Sequence, residues 1–261
     1  MLNEKNCLWC NSPLTEHSKK KIAHTIPKSI GGKRKYDCEC DSCNELFGNP
    51  IDNKYNSLES SFTSVIGYIK YILNNDLNKS HIIKPKSHFY SVKLLKDGKL
   101  KLDFKDVLKK STFYSNSFFN FFKKAFFKIF ISEFYTAYPK IYNKLDLEFY
   151  KKCILNDNYD IPLFMWKKDY IYLVADQKIE LDDMNLIHIE YDYLFEDDNI
   201  LEFEYLGLIF IMLKKDISIN DLHNSLYMNI KHKSTNGNFS FQNAEIIELK
   251  NSKQIFDRFK D

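Results

Sequence analysis

Two Cys-x2-Cys pairs stand near the start of the chain: Cys7-Leu8-Trp9-Cys10 and Cys40-Asp41-Ser42-Cys43, with 29 residues between them. In such a knuckle both sulfurs can face one tetrahedral ion at about 2.3 Å. Two knuckles complete a shell of four thiolates with no position left for a substrate, so the chemistry they offer is structural zinc binding. Five of the six cysteines fall within the first 43 residues, and no apolar signal region precedes them. Clustering of that kind favours metal binding over disulfides. Cys38 lies two residues before Cys40 and could stand in for it; the knuckle spacing to Cys43 favours Cys40. Cys153 is isolated in an apolar context and reads as packed.

Between the knuckles runs Ile22-Ala23-His24-Thr25-Ile26-Pro27-Lys28-Ser29-Ile30-Gly31-Gly32, and Asn44 follows the second knuckle directly. Over about residues 5–55 this arrangement resembles the HNH endonucleases: a knuckle, an H-x-I-P segment followed by Gly-Gly, a second knuckle, then Asn or His. The resemblance implies a ββα-metal finger, in which a β-hairpin carries the histidine and a helix beginning near the second knuckle packs across it. It implies that His24 is the general base, a role suited to imidazole because its ordinary pKa lies near neutrality. It also implies a catalytic Mg²⁺ or Mn²⁺ with Asn44 as ligand or orienting group. Two departures from the pattern stand out. Family members usually carry Asp, Glu or His directly before the catalytic histidine, where this chain has Ala23, and the middle Asn is missing between Lys33 and Glu39. Asp37 or Glu39 could replace the Asn, and Asp37 or Asp52 could bind the ion; otherwise the site is impaired and the finger is a zinc-containing nucleic-acid-binding or protein-interaction module. His17 is a further histidine in the first arm of the hairpin.

Lys19, Lys20 and Lys21 lie on one side of this segment, and Lys33, Arg34 and Lys35 on the other. Phosphate contacts need such groups, which position a duplex without reading its sequence. Lys21, Lys28, Lys33, Arg34 and Lys35 are therefore the candidate nucleic-acid contacts, with DNA the expected polymer. The net charge of +3 conceals an asymmetry: residues 79–152 hold 17 Lys against 6 acidic residues, and residues 176–216 hold 12 acidic residues against 3 Lys. A polyanion is attracted to the first region and repelled by the second. The acidic region could bind a protein partner.

The first 55 residues have too little apolar content for a packed core and need a staple. A helical pattern runs from Leu58 to Leu73, with Leu58, Phe62, Val65, Ile66, Ile69 and Ile72 on one face. A long aromatic helix follows over 113–137, with Phe118, Phe122, Phe126, Ile129 and Phe130 buried. Period-two segments then mark strands at Leu163–Trp166, Tyr170–Val174, Leu186–Tyr193, Ile200–Leu213 and Phe239–Glu248. The expected fold is α+β: a zinc-stapled finger over 1–56 and a mixed helix-and-sheet domain over 57–261. Several bacterial HNH proteins with a similar plan serve anti-phage defence, which is an analogy only. No segment reaches the roughly 20 apolar residues of a membrane span, and a cytoplasmic location is expected.

Overall fold

The computed structural model describes residues 5–15, 21–49, 57–76, 90–94, 100–104, 113–156, 158, 160–166, 185–186, 200–206, 208–218, 220–221, 224 and 246–256. His17, Lys19, Lys20, Asp52, the expected strand Tyr170–Val174 and most of the acidic region lie outside the described residues. The fold mixes helix and sheet, as expected. The chain forms two compact units, one of residues 1–139 with 250–261 and one of residues 140–249. The division expected after residue 56 followed composition; the first unit instead takes in the helices that follow the finger. No helix among the described residues is long and apolar enough to cross a membrane.

The first unit begins with a small hairpin, β1 (Ala23–His24) and β2 (Lys35–Tyr36), antiparallel with His24 opposite Lys35. Helix α1 (Asp41–Gly48) starts inside the second knuckle. Its cap is Cys40, whose sulfur accepts from the Cys43 amide at 3.5 Å. Helix α2 (Leu58–Asp76) starts at a reciprocal cap, with each of Ser57 and Ser60 donating its amide to the other's hydroxyl at 2.9 and 3.0 Å. A further hairpin pairs β3 (Tyr90–Leu94) with β4 (Leu100–Phe104). Helix α3 (Asn116–Ala137) is capped by Ser115, which accepts from the Phe118 amide at 3.2 Å.

The sequence assigned α3 one buried face, but its middle is buried all round: Phe119, Ala125, Phe127, Ile131 and Phe134 are as enclosed as the expected set. A helix apolar on every side must be surrounded. Phe122 stacks on Phe62 of α2 at 5.9 Å between ring centres, and Phe113 stacks on Phe256 at 5.6 Å. That second contact brings in α6 (Ser252–Phe256), the last described helix, whose Ser252 hydroxyl donates to the Phe113 carbonyl at 3.1 Å.

The second unit opens with the short turn α4 (Pro139–Tyr142) and helix α5 (Glu148–Leu155). Its five-stranded antiparallel sheet has the order β6-β7-β8-β5-β9, from β5 (Leu163–Trp166), β6 (Asn185–Leu186), β7 (Ile200–Tyr205), β8 (Leu208–Leu213) and β9 (Ile246–Leu249). The segment 200–213, expected as one strand region, folds back on itself at Leu206, which takes the left-handed φ of 56°. All six residues of β8 are buried, so this strand is covered on both faces. Tyr150 of α5 accepts the Leu213 amide at 2.6 Å.

The Gly-Gly pair has a steric explanation. After the 3-10 turn Lys28–Ile30, Gly31 takes φ 95° and donates its amide to the Lys28 carbonyl at 3.0 Å. A Cβ on Gly32 would lie 1.9 Å from the Ile26 carbonyl oxygen, an overlap with backbone that no rotamer relieves. Gly32→Ala is expected to destabilise the first unit by roughly 3 kcal/mol, at the upper end of overpacking costs. A denaturant titration checks this, and an unchanged midpoint would show that the loop yields freely.

Candidate active site

The sulfurs of Cys7, Cys10, Cys40 and Cys43 all lie within 4.8 Å of one another. Cys10 and Cys40 are 3.7 Å apart. A tetrahedron with metal–sulfur bonds of about 2.3 Å has sulfur–sulfur edges of about 3.8 Å, so the four thiols could hold a metal ion such as zinc. The Cys7 thiol is drawn down to about 4, first by its hydrogen bond from Cys43, which is itself raised by the same contact. Cys38 is outside the cluster. It packs with Ala23 and Tyr36 in a small core that Leu8, Leu14 and Tyr135 complete, and burial pushes its thiol up to about 11.

Groups distant in sequence hold the hairpin against the helices. The long loop between β1 and β2 is closed by the Thr25 amide on the Arg34 carbonyl at 3.0 Å and the Gly32 amide on the Pro27 carbonyl at 3.2 Å. From α3, the buried Glu133 accepts from the Thr25 hydroxyl and pairs with the Arg34 guanidinium. From α2, Lys70 donates to the Ile30 carbonyl at 2.7 Å. Arg34, expected at nucleic acid, thus has a position-holding partner. Glu39, one of the proposed substitutes for the missing Asn, is 2% exposed and accepts from the Trp9 indole at 2.8 Å and from the Tyr36 hydroxyl; Lys128 of α3 pairs with it at 3.3 Å. Burial raises its carboxyl above the usual range, against the pull of Lys128 and Trp9.

His24 and Asn44 line one cleft of about 290 Å³, together with Ala23, Lys28, Gly48, Glu59 and Lys128, among others. Neither Asn44 nor His24 makes a side-chain hydrogen bond to another described residue, whereas Lys21 and Lys128, which line the same cleft, are paired with Glu45 and Glu39. The His24 imidazole is held below its ordinary pKa by burial first and then by Lys35 and Lys28, with Glu59 opposing them. Imidazole is therefore kept in its neutral form, able to accept a proton. Ala23 is 4% exposed and belongs to the small core, so the position before the histidine offers no ligand. Asp37 is not in this cleft; it pairs with Lys5 at 3.0 Å and lines a separate hollow with Cys38 and Tyr135. Lys21 and Lys28 border the cleft, Lys21 in an exposed pair with Glu45 at 3.0 Å. Lys33 and Lys35 are exposed on the second arm of the loop. Glu59 and Lys128 escaped the sequence reading because they lie outside the motif, and no spacing pointed to them.

A two-stranded hairpin bearing a histidine, followed by a helix that begins in a cysteine knuckle, has the element order of a ββα finger. Residues 7–57 match the family model of the HNH endonucleases, which ties this segment to nuclease or nucleic-acid-related function. The match ends at the residue before α2. No curated protein and no solved structure matches the chain.

Proposed function

We propose that the first unit is a metal-dependent endonuclease centre that hydrolyses phosphodiester bonds of DNA, stapled by one zinc ion on Cys7, Cys10, Cys40 and Cys43. The observation that carries this reading is the convergence of His24 and Asn44, both without side-chain partners among the described residues, in one cleft of the finger. His24 takes a proton from a water molecule, which attacks the phosphorus in line. Its neutral form is favoured by burial and by Lys35 and Lys28. Asn44 offers a hard amide oxygen, the donor type that Mg²⁺ and Mn²⁺ prefer. Such an ion, when bound, offsets charge on the departing 3′ oxygen. Lys21, Lys28, Lys33 and Lys35 draw the phosphate backbone toward the cleft without base specificity.

The test is nicking of supercoiled plasmid. Cleavage is expected with added Mg²⁺ or Mn²⁺ and absent without it, because the four-thiolate shell has no position for substrate. Protein that is folded and carries zinc, yet cuts neither DNA nor RNA with either ion, would replace this reading with a binding module. Loss of affinity in a gel shift between low and high salt would then identify nucleic acid as the ligand.

A further inference from the structure

The cleft contains a carboxylate that the finger motif does not supply. Glu59 sits in the first turn of α2, two residues past the end of the family match. It lines the same cleft as His24 and Asn44, and its charge is felt at the imidazole. Its Oε2 lies 3.9 Å from where a Cβ on Gly48 would stand, so the carboxylate rests over the last turn of α1 where that residue has no side chain. Glu59 is exposed and makes no hydrogen bond or ion pair to another described residue. The other acidic side chains near the finger are engaged: Asp37 with Lys5, Glu39 with Trp9, Glu45 with Lys21 and Glu133 with Arg34. The reciprocal serine cap fixes the start of α2 and hence where Glu59 emerges. The helix N-terminus also favours negative charge there.

Resting on the nuclease reading above, we propose that Glu59 supplies the carboxylate ligand of the catalytic divalent ion, in place of the acidic residue that Ala23 has displaced. A buried Ala23 serves the small core beside Tyr36 and Cys38, and the ligand comes from the next helix instead. The donor set is then one carboxylate and one amide, with the His24 imidazole left free in the same cleft as the base; it is hard enough for Mg²⁺ or Mn²⁺ and unlike the thiolate cluster.

Mn²⁺ binding to the full-length chain, followed by titration calorimetry and by electron paramagnetic resonance, tests this apart from cleavage. Glu59→Gln keeps shape and removes charge, and the residue is exposed, so fold and zinc content should be retained. The variant is expected to bind Mn²⁺ about ten- to a hundredfold more weakly, the scale on which groups of a metal site act. Glu59→Asp should recover part of the loss, and Glu45→Gln, which removes an exposed carboxylate outside the cleft, should change nothing. Nicking should need correspondingly more Mn²⁺ in Glu59→Gln, with the rate at saturation less affected. Mn²⁺ affinity equal to wild type in Glu59→Gln overturns the proposal, whether or not the protein cuts. A wild type that binds Mn²⁺ through Glu59 but cuts no substrate supports the ligand assignment and removes the nuclease reading.

Discussion

Cys43→Ser is expected to strip the bound zinc and unfold the finger, the largest change in stability that any single substitution here should cause. Wild-type protein should carry about one tightly held Zn²⁺ per chain. Binding energy in sites of this kind is folding energy, about 10–16 kcal/mol in isolated zinc-finger peptides. The finger has little else to hold it. Its hairpin is two residues long on each side, and its enclosed apolar residues are few, chiefly Trp9, Ile26, Ile30, Tyr36 and Phe47. Trp9 depends on the first knuckle for its place against Phe47, at 5.4 Å between ring centres, and for its hydrogen bond to Glu39. Helices α2 and α3 grip the loop through Lys70 and Glu133, but those contacts need the loop already shaped. Metal analysis, together with protease sensitivity between residues 5 and 49, reads the effect. Cys38→Ser should leave zinc in place because Cys38 stands outside the cluster. Folded wild-type protein without zinc would defeat the assignment.

The parts of the finger that were legible in the sequence are those whose reasons are local. Knuckle spacing alone identified the four converging cysteines and left Cys38 out, because two sulfurs three residues apart can meet one centre and the geometry admits few others. Gly31 and Gly32 entered only as part of the family pattern, and their reasons are local too: Gly31 takes a left-handed φ and a Cβ on Gly32 would overlap the Ile26 carbonyl. Alternation located β5, and helical periodicity located α2 and α3. What the sequence did not yield was partnership across distance. Glu133 reaches Arg34 over 99 residues and Thr25 over 108, and no spacing rule connects such positions. The same blindness hid Glu59. Read alone it is an ordinary first-turn acid of a helix; only packing of α2 beside α1 brings it to the cleft. The full enclosure of α3 was also hidden, since a phenylalanine-rich helix gives nearly the same pattern whether one face or all are covered. In the second unit, β5 pairs with β8 and β9, segments far along the chain, so strand order could not follow from strand positions.

His24→Ala should lower the cleavage rate by about 10²- to 10⁴-fold, the usual cost of removing a general base. Zinc content and melting temperature should be unchanged. The side chain is only half-buried and makes no hydrogen bond to another described residue, so the fold loses little with it. The knuckles are held by their own sulfurs, and the hairpin by Thr25, Arg34 and Glu133. Asn44→Ala should cost less if Glu59 shares the ion, because one hard donor remains. The pH dependence separates a base from a structural histidine. Burial, Lys35 and Lys28 lower the pKa of His24 below 6.5, and Glu59 opposes them. The neutral, proton-accepting form therefore persists below that pH, and wild-type cleavage should hold there before it falls with acid. Lys35→Gln removes one of the repelling charges and should shift that fall toward higher pH. In His24→Ala the residual rate should rise with hydroxide concentration across the whole range, without the plateau that a titrating base gives. A His24→Ala protein that retains zinc and cuts at the wild-type rate would end the assignment of His24 as base. One that loses zinc would show that the imidazole belongs to the scaffold of the finger.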